Sequence, residues 1–368
     1  MKIVNVVGAR PNFMKIAPLM EEMGKFPNIS PVLVHTGQHY DEKMSKNFFD
    51  DLGIPKPNIN LEVGSGSHAK QTAAVMERFE SVIIQEKPDL VLVVGDVNST
   101  IACALTAVKL GVRVAHVEAG LRSFDRSMPE EINRVLTDSI SDYLFTTEES
   151  ANKNLAREGV DPRKVFFVGN VMIDTLLKHK QKAMASDILS RLNVTSKGYV
   201  LATLHRPGNV DSPEVLQEIF QALAVISKDI PVVFPCHPRT QGKLAALNPV
   251  MKELAVTDGF QWINRVLICD PVGYLDFMKL MAEAKVVISD SGGIQEETTI
   301  LGVPCLTVRP NTERPVTISH GTNKLVGMQK ETIALEAMEA MNSMDISKKI
   351  PPLWDGKAST RIIEILLC

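Results

Sequence analysis

Carboxylates placed directly behind apolar runs are the first chemistry this sequence offers. Asp96 follows Leu90–Val94 and Gly95. Glu118 follows Val112–Val117 and leads into Gly120. A carboxylate at the end of a buried strand sits where burial and neighbouring charge can move it toward acid/base work. Glu130 stands in Pro129-Glu130-Glu131, ahead of Asn133-Arg134. Helix capping is the alternative for Asp96 and Glu130. It suits Glu118 less, because Gly120 follows at once and no helix opens there. His205-Arg206 comes behind the apolar run that ends at Leu204, although a lone histidine is more often structural.

A second chemistry is anion binding. Gly8-Ala9-Arg10-Pro11-Asn12-Phe13-Met14-Lys15 is a glycine-opened turn into a helix, with Arg10 and Lys15 at its mouth. It lacks the Gly-Lys-Ser/Thr end of a Walker A loop and the spacing of a dinucleotide fingerprint. Two cations at a helix N-terminus suit a phosphate; surface cations on a solvated turn are the equal alternative. The strongest local signal is Ser289-Asp290-Ser291-Gly292-Gly293-Ile294-Gln295-Glu296-Glu297. Gly292 and Gly293 let the backbone approach a ligand, the first-turn N–H groups behind Ser291 can hold a diphosphate, and Glu297 lies one turn on, in reach of ribose hydroxyls. A purely structural tight turn is the less favoured alternative. Thr312-Glu313-Arg314-Pro315 puts Arg314 in a further loop behind a strand. Gly64–Ala69 matches G-x-G-x-x-A only weakly and reads as a flexible loop. His35 and His39 run from a strand into a turn, and no His/Cys/Asp/Glu cluster has metal-ligand spacing, so no required metal is expected.

The elements that must carry these groups alternate. β-branched runs and helical patterns follow one another from Lys2–Val7 to Val165–Val168, pause in a Lys/Gln/Ser-rich stretch over about 174–197, and resume from Tyr199–Leu204 to Pro304–Val308. Continuous apolar strands between helices predict parallel sheets covered on both faces. The expected architecture is α/β, with two Rossmann-like doubly wound domains facing a cleft. The first is placed at 1–170 and the second at 171–355. The helix Ala358–Leu367, within 356–368, is expected to pack back on the first domain. Open α/β sheets bind ligands beyond the carboxyl ends of their strands, where the acidic and glycine-rich segments lie.

Composition narrows the class. The 368 residues are 45% hydrophobic and 23% charged, with a net charge of −3. Two cores of ordinary size can be built. No basic stripe or polybasic patch predicts a nucleic-acid or membrane partner. No uncharged stretch approaches the ~18 residues of a membrane span. The chain enters a strand at Lys2 without a charged lead and apolar core, so no secretory leader is expected. The five cysteines are odd in number, none is spaced C-x-x-C, and most lie in or beside apolar runs. They predict reduced thiols in a cytoplasmic protein.

Taken in order, the Gly8–Lys15 loop, Gly95-Asp96, Val117–Arg122, Pro129–Arg134, His205-Arg206, Ser289–Glu297 and Glu313-Arg314-Pro315 resemble the non-hydrolysing UDP-N-acetylglucosamine 2-epimerase family over residues 2 to about 327. The resemblance implies the GT-B fold, a homodimer, a UDP-sugar substrate, and no nicotinamide or metal. It implies that a base removes the sugar C2 proton, UDP leaves from C1 to give 2-acetamidoglucal, and UDP returns with protonation on the other face, supplying precursors of surface polysaccharides. By motif position, Arg10, Lys15, Ser291, Gly292, Gly293 and Arg314 would hold UDP and sugar, Glu297 the ribose, and Phe277 the uracil. Asp96, Glu118, Glu130 and His205 would form the acid/base set.

Ala9 and Asn12 stand where many members have Thr and Glu, and Val272 where a polar residue is common. Thr36–Asp41 departs from the bacterial pattern linked to activation by substrate, so strong allostery is not expected. Gly8–Pro11, Thr36–Asp41, Phe48-Phe49 with Leu52–Pro55, and Gly120–Arg126 also resemble a branch acting on UDP-2,3-diacetamido-2,3-dideoxy-glucuronate. Other readings are a GT-B glycosyltransferase, a silent UDP-sugar-binding regulator, and a hydrolysing relative that releases N-acetylmannosamine. The carboxylates of the first half weigh against the glycosyltransferase.

Overall fold

The computed structural model describes residues 1–37, 52–236, 238–247, 260–263, 265–343 and 349–368. Gln38-His39-Tyr40-Asp41 and Phe48-Phe49, which carry part of the branch resemblance, lie outside the described residues. The chain divides into two compact units: Met1–Lys178 with Pro352–Cys368, and His179–Pro351.

The first unit is built on a seven-stranded sheet. Its strands are β1 (Lys2–Val7), β2 (Ser30–His35), β3 (Ile59–Asn60), β4 (Leu90–Val94), β5 (Arg113–Ala119), β6 (Tyr143–Thr146) and β7 (Val165–Phe167), in the order β3-β2-β1-β4-β5-β6-β7. Every pairing is parallel. The crossovers contain α1 (Arg10–Met23), α2 (His68–Glu86), α3 (Asn98–Lys109), α4 (Pro129–Ile140) and α5 (Glu149–Arg157). β4 is buried along its whole length, as a central strand covered on both faces must be. The strand order reverses between β1 and β4, the switch point where such sheets open a crevice.

The second unit repeats the plan. Its strands are β8 (Val200–Thr203), β9 (Val232–Pro235), β10 (Phe260–Ile263), β11 (Val266–Cys269), β12 (Val286–Ser289), β13 (Cys305–Thr307) and β14 (Asn323–Leu325), in the order β10-β11-β9-β8-β12-β13-β14. Among the described residues, only the edge strand β10 is antiparallel. α7 (Ile188–Arg191) precedes the strands, α8 (Pro207–Val210), α9 (Pro213–Ile226), α10 (Pro238–Leu247), α11 (Tyr274–Glu283), α12 (Gly292–Leu301) and α13 (Val316–Ser319) run between them, and α14 (Lys330–Asn342) follows the last. Successive strand residues enter opposite cores. Val200, Ala202, Val232, Phe234, Val286 and Ile288 pack with α9 and α14. Tyr199, Leu201, Val233, Val287 and Cys305 pack with α7, α11 and α12. The period-two alternation of a strand thus feeds two helix layers. The switch point lies between β8 and β12.

The stretch expected to be a pause is helical. Val171–Met184 forms α6, and α7 follows. Val171, Ile173, Leu176 and Ala183 are fully buried, and this apolar stripe outweighs the Lys/Gln-rich remainder, which covers the solvent side. The division between units falls inside α6, after Lys178, eight residues beyond the boundary expected at 170. α10, β10, β14 and α14 had no counterpart in the sequence reading. α14 has only a weak amphipathic signal, with Ile333, Ala334 and Ala337 buried.

The last helix, α15 (Ala358–Leu367), packs on α1 within the first unit. Its approach needs Gly169. There φ is 90°, and a Cβ would stand 2.1 Å from the carbonyl oxygen of Leu353, so only glycine fits. Trp354 is fully buried and donates its indole N–H to the Thr147 carbonyl at 2.9 Å. Among the described residues, no helix is long and apolar enough to cross a membrane.

Candidate active site

At the first switch point, α1 is stapled to the end of β4. Asn12 donates to the Val94 carbonyl at 2.8 Å and accepts from the Ala9 N–H at 3.0 Å. Lys15, almost one turn on, is buried and ion-paired with Glu118. A buried ammonium needs such a partner, because its desolvation is otherwise uncompensated. Gly95 leaves the space: its φ is 69°, and a Cβ would lie 2.9 Å from the Lys15 ammonium. Arg10 opens α1; its side chain lies outside the described residues.

Glu118 is held in an unusual backbone state. Its φ is 72°, and the β5–β6 register shifts between Val117 and Ala119. A left-handed non-glycine residue costs about 1–3 kcal/mol, and a bulge re-aims a side chain relative to the sheet. Asp96 does not cap α3, whose N-cap is Val97. It accepts from Arg134 instead, and Arg134 also pairs with Glu131. The Asp96 side chain keeps 30% of its surface exposed. Glu130 lies half-buried in the first turn of α4, where the helix dipole favours a carboxylate. No ion pair meets it among the described residues. Its neighbour Glu131 holds the preceding loop through the N–H groups of Ser123 and Phe124, both at 2.9 Å.

A buried network lies beneath these groups. His116 faces Asp138 at 2.7 Å through Nδ1 and the Gly95 carbonyl at 2.8 Å through Nε2. The other Asp138 oxygen accepts the Gly120 N–H at 3.0 Å and pairs with Arg122 at 2.7 Å. Burial alone would raise the Asp138 pKa, but His116 and Arg122 lower it on balance. One carboxylate therefore ties the loop carrying Asp96 to the loop following Glu118.

At the second switch point, Asp290 is fully buried behind β12 and gathers the segment behind β8. It accepts from the N–H of Arg206 at 2.9 Å, the Asn209 amide at 3.1 Å and the His205 ring at 2.8 Å. Ser291 is the N-cap of α12 without a side-chain cap bond, and Gly292 and Gly293 begin the helix, so the first-turn N–H groups stay available for an anion. Arg314 binds Glu296 and Glu313. Glu313 also meets Arg309 at 2.8 Å and Arg206 at 3.3 Å. Burial would raise the Glu313 carboxyl, but Arg314, Arg309 and Arg206 together hold it far below the usual range. Glu297 is buried and accepts from the Tyr274 hydroxyl at 2.9 Å. Burial pushes its pKa up to about 7; Tyr274 opposes the shift and Glu296 adds to it. Phe277 packs, half-buried, on the core cluster that contains Leu280 and Val287.

Each sheet thus displays its charged and glycine-rich groups at a switch point. A family model described as UDP-N-acetylglucosamine 2-epimerase matches residues 21–367. A Methanococcus maripaludis protein named UDP-N-acetylglucosamine 2-epimerase homolog is 45% identical over all of this chain and 99% of its own length. A Pseudomonas aeruginosa UDP-2,3-diacetamido-2,3-dideoxy-D-glucuronate 2-epimerase is 41% identical over all of this chain and 99% of its own. The crystal structure of Methanocaldococcus jannaschii UDP-GlcNAc 2-epimerase in complex with UDP-GlcNAc and UDP is 44% identical and superposes with a TM-score of 0.90, covering 100% of this chain and 99% of that one. The chain belongs to the UDP-N-acetylglucosamine 2-epimerase family. It is an epimerase, hence an isomerase, on the GT-B fold.

The structure adds residues to which the sequence reading gave no role. Arg134, Glu131, His116, Asp138 and Asp290 hold the epimerase's loops in place. Asn12, noted only as a departure, staples α1. His116 carried a visible signal, a histidine inside the apolar run Val114–Val117. Asp138 did not, since an aspartate on a polar helix face looks solvated. All five cysteines are free, with Cys103, Cys236, Cys269 and Cys305 buried. Among the described residues, no group of three or more His, Cys, Asp or Glu could hold a metal.

Proposed function

We propose that this epimerase interconverts UDP-N-acetylglucosamine and UDP-N-acetylmannosamine by elimination and re-addition of UDP. The observation that carries this reading is the buried Lys15–Glu118 pair beside Asp96 at the β1/β4 switch point. The C2 proton is weakly acidic, so its removal requires stabilised charge on departing UDP and a positioned base. The first unit supplies Asp96, Glu118 and Glu130, and the second His205, as the acid/base set. Arg10, Lys15 and Arg314 would neutralise the phosphates and hold the sugar, with Ser291, Gly292 and Gly293 offering backbone N–H groups. Glu297 would take the ribose hydroxyls and Phe277 would lie by the uracil. The second unit is then the UDP-binding domain. A second reading, UDP-2,3-diacetamido-2,3-dideoxy-glucuronate as substrate, is favoured by the likeness to the Pseudomonas protein so named.

A homodimer goes with this function. Ile132, Val135 and Leu136 on α4 are 42%, 37% and 48% exposed. They make an apolar stripe at i, i+3 and i+4, beside a 420 Å³ groove that Ala69, Ala73 and Met76 of α2 also line. The stripe suits a second copy of the same face. The unpaired buried thiols suit the reducing cytoplasm.

Proton NMR with UDP-N-acetylglucosamine in D2O tests the reading. UDP-N-acetylmannosamine carrying deuterium at C2 is the expected product. An unchanged spectrum, followed by turnover of the diacetamido-glucuronate nucleotide, moves the chain to the second reading. No C2 exchange with either nucleotide overturns both.

A further inference from the structure

His205 and Asp290 lie behind neighbouring parallel strands, since β8 and β12 pair with Thr203 opposite Ser289. Asp290 is fully buried, whereas the His205 side chain is 55% exposed. The carboxylate takes four donors in five contacts: the His205 N–H, bifurcated at 3.2 and 3.1 Å to its two oxygens, the Arg206 N–H at 2.9 Å, the Asn209 amide at 3.1 Å, and the His205 Nδ1 at 2.8 Å. An ionised carboxylate only accepts, so the ring nitrogen facing it must carry the hydrogen. Nε2 then has a lone pair whenever the imidazole is neutral. No partner meets Nε2 among the described residues.

We infer that Asp290 is a positioning residue that fixes His205 in the Nδ1–H tautomer and presents Nε2 as the atom that accepts and returns a proton. This rests on His205 belonging to the acid/base set. Asp290 also anchors the backbone of the His205-Arg206 segment, so one buried group fixes both the tautomer and the place of the ring. Its position at the start of the Ser291-Gly292-Gly293 turn couples the ring to the segment proposed to hold the diphosphate. The histidine and the phosphate-binding turn thus share one anchor, which no local pattern in either segment reveals.

The test is long-range 1H–15N correlation on the histidine-labelled protein at alkaline pH, with His205 assigned by H205N. The wild type is expected to show Nδ1 protonated and Nε2 bearing a lone pair. D290N is expected to lose this preference, with kcat lowered by about 10²-fold or more, the range of a lost acid/base group, and KM nearly unchanged. A wild-type spectrum with Nε2 protonated overturns the inference without any variant, and so does an unaltered tautomer in D290N that circular dichroism shows to be folded. Full turnover by H205N would instead remove His205 from the acid/base set and leave the tautomer measurement standing, so the two failures are distinguishable.

Discussion

The carboxylates at the strand ends and in the loops behind them differ in how their charge is met, and that difference sets their behaviour. Glu118 has Lys15, Asp96 has Arg134, and Glu313 has three guanidiniums. Glu297 has a hydroxyl and an acidic neighbour instead, and its pKa rises from 4.5 to about 7. The folded protein therefore keeps a proton on Glu297 over a range in which the unfolded chain has lost it. Stability is fully present below the unfolded pKa and falls as pH rises through the folded one, by about 3 kcal/mol at 1.36 kcal/mol per unit. Glu297→Gln keeps an acceptor for Tyr274 and cannot ionise. Denaturant midpoints measured across this range should fall with pH in the wild type and show a slope smaller by that amount in the variant. Equal slopes would mean that Glu297 titrates normally.

Helix ends and strand ends do the positioning. α15 starts from Lys357, which makes no side-chain cap bond. Asp174 on α6 supplies the cap, accepting from the N–H of Ala358 at 3.1 Å and from the N–H and hydroxyl of Ser359, both at 2.7 Å. A cap lent by another helix joins segments far apart in sequence. Asp174→Ala leaves buried donors unmet, which costs about 2 kcal/mol. Thermal unfolding should begin roughly 4–8 °C lower at this size. An unchanged melting curve would show that water replaces the cap. The β5 bulge works in the same way at a strand end. It turns Glu118 toward Lys15, and the Asp138 network below ties the two neighbouring loops together.

At the scale of the whole molecule, two sheets of the same plan carry different groups at their strand ends: Asp96, Glu118 and Lys15 in the first unit, Arg314 and the Ser-Gly-Gly turn in the second. The α4 stripe belongs to this scale because Ile132, Val135 and Leu136 stay exposed on one helix face among the described residues, where a second copy could cover them. Leu136→Glu should give a monomer by light scattering, with circular dichroism unchanged, from a wild type that is dimeric at micromolar concentration. A monomeric wild type would remove the dimer.

The sequence by itself determined the alternation of strands and helices, the two-unit plan and the family. Those features depend on local periodicity and on short motifs behind strands, which neighbouring residues encode. α6 escaped because its apolar stripe is sparse between lysines, and α14 because its amphipathic signal is weak. Only the tertiary structure decided that Asp96 pairs with Arg134 instead of capping a helix, that Glu118 takes a left-handed backbone, and that Asp138 and Asp290 organise the loops above them. Each of these depends on partners brought together by strand order, such as Asp290 with His205, 85 positions away. Periodicity within a segment carries no information about which distant charge will meet a buried carboxylate. That is settled when the sheet closes and desolvation makes an unpaired charge too costly to keep.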